Sequence, residues 1–179
     1  MLLKHGADVN RRRHGHFSVL WESISSDTVD MMQKLLEAGA KLHPVELFEM
    51  MNRAVQAGLS ACRSLVDHGA PVNGGDYNKV TASHIAAAGK LETLDFLLEN
   101  GADPNALDFW GHPPLHCVIQ QQYVEHIEHL IAAGANVDLA GLDGRSPLQI
   151  ALQSAYLATS PLGPDILALL KRASKMSSK

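Results

Sequence analysis

The chain has 179 residues, of which 46% are hydrophobic and only 5% aromatic, so its core must be built mainly from aliphatic side chains. The formal net charge of −4 argues against a nucleic-acid or anionic-membrane function, and no stretch approaches the ~20 apolar residues of a spanning helix. Two cysteines, Cys62 and Cys117, provide neither a disulfide framework nor a CxxC zinc spacing. So few cysteines without a disulfide pattern favour a reducing compartment, and we expect the cytoplasm, with the nucleus as the alternative.

A Gly-Ala dipeptide recurs along the chain with a nearly constant period. An apolar pair or near-pair precedes each copy, and Asn follows three residues after the Ala at Asn10, Asn73 and Asn105. A period of this length is typical of repeat proteins. The five copies lie at 6–7, 39–40, 69–70, 101–102 and 134–135, with spacings of 33, 30, 32 and 33 residues.

A second motif marks the start of each of the last three units. It takes the forms Thr81-Ala-Ser-His84, Gly111-His-Pro-Pro-Leu-His116 and Gly144-Arg-Ser-Pro-Leu-Gln149. The prolines lie where a helix begins, and the Gly of Gly-Ala suits the left-handed residue that ends one. Together the motifs resemble the ankyrin repeat, G-x-T-P-L-H-x-A-A followed by L-L-x-x-G-A-D-x-N. The resemblance implies an all-α, ankyrin-repeat solenoid of stacked helix-turn-helix units with short hairpin-like loops.

The resemblance covers nearly the whole chain and divides a single domain, 1–179, into six units. In chain order these are a partial repeat 1–15, a repeat 16–45, a degenerate repeat 46–75, repeats 76–107 and 108–140, and a C-terminal capping repeat 141–179. Residues 1–10 contain only the last turn of a repeat, so we expect a fragment or preceding repeats. The degenerate repeat has Glu49-Met-Met-Asn52 in place of T-P-L-H.

The second helix of each complete unit follows a short break. We predict these helices at Leu91–Glu99 and Val124–Ala132, each ended by the Gly of its Gly-Ala dipeptide. The last unit carries an insertion, 158–164, before its second helix at 165–173. One helix pair cannot bury its own apolar stripe, so stacking against neighbouring units must complete the core.

Ten histidines raise the question of a metal site. His126 and His129 are spaced for one helix face, but zinc requires three or four ligands in one place. The resemblance instead implies a structural hydrogen-bonding role for His84 and His116. No nucleophile motif or phosphate-binding glycine loop is present. We therefore predict no metal, no cofactor, no small-molecule substrate and no catalytic residue: the chain is not an enzyme.

The resemblance implies that a partner protein lies along the loop tips and the inner face of the first helices. Phe109 and Trp110 are the leading candidates, because adjacent exposed aromatic side chains are typical of interface hot spots. The alternative is that Trp110 packs against the neighbouring loop. The full predicted set is Arg13, His14, Phe17, Tyr77, Asn78, Phe109, Trp110, His112, Gln120, Gln121, Leu142, Asp143 and Arg145.

Two further sites are predicted with alternatives left open. The basic segment 11–14, with His16, either contacts an acidic partner or nucleic acid, or is a solvated loop. The resemblance also makes Asn10 and Asn105 candidates for hydroxylation by an oxygen-sensing hydroxylase, since both lie in an A-D-x-N setting.

The predicted function is protein–protein interaction with a partner that the sequence does not identify. A membrane is not expected as a partner, and the overall acidity argues against nucleic acid. Two alternatives are a regulatory or substrate-recruiting arm of a larger enzyme or ubiquitin-ligase adaptor, and a pathogen effector that mimics host ankyrin proteins. Fold alone does not decide among them.

Overall fold

The computed structural model describes residues 7–12, 17–25, 28–44 and 46–177. Within these ranges regular structure is helical, and extended pairing is limited to the isolated bridges Arg12–Ser18 and Gly75–Thr81. The predicted all-α fold class is therefore confirmed. None of the described helices is both long and apolar enough to cross a membrane.

The chain divides into two compact units, Met1–Val72 and Asn73–Lys179. In the first unit, helix α4 packs against both α2 and α3, and α1 packs against α2. Buried Leu20, Met32, Met50 and Leu65 form its core. Its helices are α1 (Val19–Glu22), α2 (Val29–Glu37), α3 (Leu47–Ala57) and α4 (Leu59–Asp67).

The second unit has two layers of helices. The first helices α5, α7 and α9 pack in succession, and the second helices α6, α8 and α11 do the same. Buried Leu94, Leu97, Leu115, Ile127 and Leu130 fill the space between the layers. The elements are α5 (Ala82–Ala87), α6 (Leu91–Glu99), α7 (Pro114–Gln121), α8 (Val124–Ala132), α9 (Pro147–Gln153), α10 (Ala155–Thr159) and α11 (Gly163–Ser177).

Helix ends follow the local chemistry that the repeat motif predicts. The Ser146 hydroxyl accepts a hydrogen bond from the Gln149 backbone, and the Gln149 side chain reaches back to the Ser146 N–H. Gly101 and Gly134 have φ values of 84° and 94°, the left-handed region that glycine enters at least cost. Helices α6 and α8 accordingly have the predicted bounds. Helix α10 begins at Ala155, before the predicted insertion, and ends within it at Thr159. The last helix, α11, is longer than the predicted 165–173 and runs over Gly163–Ser177.

Side-chain amides connect consecutive repeats within the second unit. Asn73 donates to the Gly101 carbonyl at 2.7 Å and accepts from the Asp103 backbone N–H at 2.8 Å. Asn105 makes the same two contacts one repeat later, with Gly134 at 2.9 Å and Asn136 at 2.7 Å. Each amide pairs with a carbonyl and an N–H of the loop that follows a second helix, so that these backbone groups have a partner within the fold.

Candidate functional site

Two loops of the second unit are shaped by an aspartate at their start. Asp76 Oδ1 accepts from the N–H groups of Asn78 and Val80 at 2.8 and 2.9 Å. Asp108 accepts from Trp110 and His112 in the same way, at 2.9 and 2.8 Å. Such Asx turns hold the intervening residues at the outer end of the loop.

Backbone hydrogen bonds also join neighbouring loop tips. The Phe109 N–H donates to the Asn78 carbonyl at 2.7 Å, and the Leu142 N–H donates to the Trp110 carbonyl at 3.3 Å. Gly111 permits the second contact, because a Cβ there would lie 2.4 Å from the Leu142 nitrogen. These two hydrogen bonds therefore fix the positions of the three loop tips relative to one another.

Four large apolar side chains project from these tips, and we call them the apolar tip row: Tyr77, Phe109, Trp110 and Leu142. They are 95%, 59%, 52% and 79% exposed, respectively. Phe109 and Trp110 contact each other edge to face, with ring centroids 5.9 Å apart. More than half of the Trp110 side chain thus stays accessible, which favours the interface hypothesis over burial against the neighbouring loop.

The polar residues predicted for these loops lie beside the tip row. Asn78 is exposed, and Asp143 forms an ion pair with Arg145 at 2.7 Å. Hydrogen bonds from the backbone and side chain of Arg145 lower the pKa of Asp143. His112 is half-buried, and its ring contacts that of His116 at a centroid distance of 4.7 Å.

The predicted glutamines lie at the end of a first helix of the second unit. Gln120 and Gln121 are exposed at the C-terminal end of α7. Gln153 is exposed at the corresponding end of α9, which packs against α7. The role of all these residues in binding stays a prediction.

In the first unit the predicted site is only partly described. Arg13 and His14 lie outside the described residues, and Phe17 is 38% exposed. The Phe17 ring stacks on Trp21 at 3.9 Å, and the Arg53 guanidinium lies 4.2 Å from the Trp21 ring. Sequence reasoning missed Trp21, although it occupies the histidine position of the T-P-L-H motif in its repeat.

Part of the basic segment has a structural role. Arg12 forms an ion pair with Glu46, which is only 2% exposed and also accepts from the Ser18 N–H at 3.1 Å and hydroxyl at 2.6 Å. Burial alone would raise the pKa of Glu46, but the hydrogen bonds from Ser18 and Arg12 outweigh it and lower that pKa. Arg12 is therefore not a solvated side chain, and the partner-contact hypothesis for the basic segment stays a prediction.

The two motif histidines differ. His84 has the expected structural role: Nδ1 lies 2.8 Å from the Thr81 hydroxyl, and Nε2 donates to the His112 carbonyl at 2.9 Å. The same expectation is wrong for His116, whose two buried ring nitrogens have no hydrogen-bond partner. For Nδ1 the reason is that Pro113 stands at the threonine position and has neither a hydroxyl nor an N–H.

The remaining histidines considered for metal binding are each engaged elsewhere. His126 donates to the Gly89 carbonyl at 3.1 Å, and His129 donates to Asp95 at 2.6 Å. Among the described residues, no cluster of three or more His, Cys, Asp or Glu side chains could hold a metal ion.

The two cysteines are sheltered thiols. Cys62 is fully buried, and burial raises its pKa to about 12. Cys117 is half-buried rather than in the core, and burial raises its pKa as well. Thiolate, the reactive form, is therefore scarce at both positions near neutral pH.

The candidate hydroxylation sites are held in the amide bridges between repeats. Asn10 donates to the Gly39 carbonyl at 3.3 Å and accepts from the Lys41 N–H at 2.8 Å. Asn105 makes the equivalent pair of contacts in the second unit, with Gly134 and Asn136. Asn10 is exposed and Asn105 half-buried. Their modification stays a prediction.

Comparison with known proteins gives a consistent result. A profile described as "Ankyrin repeats (3 copies)" matches residues 48–108 and 89–170, more than half of the chain. Ankyrin repeat domain-containing protein 37 of Xenopus tropicalis is 33% identical over 110 residues, which cover 57% of this chain and 68% of that protein.

Other relatives are much longer than this chain. A Danio rerio protein provisionally named as a palmitoyltransferase is 35% identical over 80 residues, 45% of this chain and 12% of its own length. Protein fem-1 homolog CG6966 of Drosophila melanogaster is 47% identical over 51 residues, 28% of this chain and 8% of that protein. The chain thus spans only a small part of these relatives.

Proposed function

This chain belongs to the ankyrin-repeat family, and we propose that it is a non-catalytic module that binds a partner protein through the loop tips of its second unit. The observation that carries the proposal is the apolar tip row. Four large apolar side chains on three consecutive loops are at least half exposed, an arrangement that costs free energy unless a partner covers them.

The mechanism is rigid presentation. Asp76 and Asp108 fix the two aromatic loops, and the backbone hydrogen bonds to Asn78 and Trp110 join one loop to the next. Because the backbone of these loops is fixed before binding, less conformational entropy is lost when a partner docks. Tyr and Trp side chains, which combine a large apolar area with few rotatable bonds, suit this role.

A double variant, Phe109→Ala with Trp110→Ala, tests the proposal. Since both side chains are exposed, the helical circular dichroism should be unchanged while partner capture from a cell lysate is lost. The matched control is Met31→Ala with Met176→Ala, which removes two exposed apolar side chains from second helices. Equal capture by wild type and the aromatic variant would refute the tip row as the binding site.

A second candidate is that the chain acts as the recruiting arm of a larger protein. The observation that favours it is the coverage of the relatives, because the matched segments make up only 12% and 8% of two of them. Sequencing the full transcript tests this: an additional catalytic or adaptor domain would support it, and a transcript that encodes only these repeats would contradict it.

A further inference from the structure

We infer that the segment of the partner held by this site is an extended, uncharged peptide rich in apolar side chains. This inference rests on the proposed function and adds the chemistry of the ligand. It comes from the first helices α5, α7 and α9, which follow the loops of the apolar tip row in the chain and pack in succession, together with α10, whose C-cap Ser160 donates to Gln122 at the end of α7. We call the surface of these helices the neutral face.

The two helical layers of the second unit differ sharply in charge. Helices α5, α7, α9 and α10 contain no Asp, Glu, Lys or Arg. The second helices carry them instead: α6 contains Glu92, Asp95 and Glu99, and α8 contains Glu125 and Glu128. The helices of the neutral face therefore carry no formal charge, although 19% of the residues in the chain are charged.

The exposed groups of the neutral face are amides and apolar side chains. Gln120, Gln121 and Gln153 are exposed, and their side chains make no hydrogen bond within the described structure. Leu152 and Tyr156 are 52% and 66% exposed on the adjoining α9 and α10. The face thus offers hydrogen-bond donors, acceptors and apolar area, but no countercharge.

This composition selects against a charged ligand. A charged side chain that docks there loses its hydration, and the face supplies no opposite charge to compensate. On the described loop tips, Asp143 and Arg145 pair with each other, and Asp76 and Asp108 cap their own turns. The exposed charge that remains there is Lys79, which lies on the loop of Tyr77 and outside the helices of the neutral face. An uncharged apolar segment loses no such hydration.

The free glutamine amides favour an extended ligand over a helical one. Each amide has both a donor and an acceptor, and so does each backbone peptide group. An extended segment offers unpaired backbone groups, whereas a helix has already satisfied its own. Gln120 and Gln153 lie at corresponding positions of packed helices, which suits successive contacts along one strand.

The experiment starts from a phage-displayed library of random peptides selected on the wild-type chain. The selected peptide is then titrated, by fluorescence, against Gln120→Lys/Gln153→Lys and against Gln120→Glu/Gln153→Glu. The control, Glu125→Gln/Glu128→Gln on α8, shifts the net charge by the same amount as the lysine variant but leaves the neutral face intact. Titrations at low and high salt separate charge pairing from apolar contact.

We expect uncharged peptides, a salt-insensitive Kd, and weakening by about tenfold or more in both the lysine and the glutamate variants, with the control unchanged. Selection of charged peptides, or opposite effects of lysine and glutamate, would overturn the inference but not the proposed function. Recovery of no peptide would also overturn it. A Phe109→Ala/Trp110→Ala variant that binds the peptide normally would instead contradict the tip row alone.

Discussion

The Nε2 atom of His84 donates to the backbone carbonyl of His112 at 2.9 Å, and this bond joins one repeat to the loop of the next. The carbonyl can only accept, so Nε2 carries the proton and Nδ1 is left to accept from Thr81. His116 occupies the same position one repeat later and makes neither contact. Pro113, which stands where Thr81 precedes His84, accounts for the missing contact of Nδ1.

Pro113→Thr should therefore stabilise the chain. Pro113 has φ and ψ of −78° and 165°, close to the −90° and 166° of Thr81, so threonine fits the existing backbone. It would give His116 Nδ1 a hydroxyl and an N–H, worth ~1 kcal/mol after the lost rigidity of proline is subtracted. Urea unfolding measures the gain, and an unchanged or lower midpoint would contradict the argument.

His116 should also make stability depend on pH. Burial, with smaller contributions from His112 and Arg145, lowers the pKa of His116 from 6.5 to about 4. The carboxylates of Asp143 and Asp108 oppose this shift. The unfolded chain therefore binds more protons between these values, and stability falls as the pH drops through this window.

His116→Gln, which introduces the residue that Gln149 supplies at the equivalent position, removes this titration. The loss of unfolding free energy between about pH 7 and about pH 5 should be smaller in the variant by roughly 1–2 kcal/mol. Burial also lowers the pKa of His84, which is present in both proteins and so cancels in the difference. Parallel pH profiles for wild type and variant would show that His116 does not contribute.

Lys79 occupies a backbone position that favours glycine. Its φ is 57°, whereas Gly111 and Gly144 take the corresponding positions in the next two loops with φ of 80° and 74°. Lys79→Gly should relieve this strain and raise the free energy of unfolding by ~0.5–1 kcal/mol, net of the greater entropy of the unfolded chain. Thermal unfolding provides the measurement, and a lower Tm in the variant would contradict the expectation.

Gly111→Ala provides the opposite case. A methyl group there would lie 2.4 Å from the Leu142 nitrogen and 2.9 Å from its Cγ, so the contact between the two loops must open. We expect destabilisation by ~1–3 kcal/mol, measured by urea unfolding. A neutral effect would mean that the loop tips are not held together as the structure indicates.

Hydroxylation of Asn10 and Asn105 is a proposal from the family resemblance. Incubation with an asparaginyl hydroxylase should add one oxygen to the peptides that contain them. Asn73 is an internal control, because it makes the same bridge as Asn105 but follows Pro71-Val72 instead of an Asp-containing segment. Unmodified Asn10 and Asn105 peptides, or equal modification of Asn73, would contradict the assignment.

Local chemistry explains which parts of the structure could be predicted. The bounds of α6 and α8 follow from glycine conformation and from a helix-forming composition, both readable within a few residues. The Ser18–Glu46 contact joins residues 28 positions apart, and the Phe17–Trp21–Arg53 stack depends on side-chain orientation. A repeat pattern specifies neither. The exposure of Phe109 and Trp110 likewise depends on how neighbouring tips are joined.

The two cysteines are distributed one to each unit, Cys62 in the first and Cys117 in the second. Cys62 is fully buried, so a thiol-labelling reagent can modify it only when the first unit opens, whereas half-buried Cys117 should be labelled faster when the second unit opens. Each unit therefore contains one thiol whose labelling rate reports the opening of that unit. Mass spectrometry after timed labelling would report two separate opening rates without any engineered probe, and a bound partner that slows one rate would reveal which half it clamps.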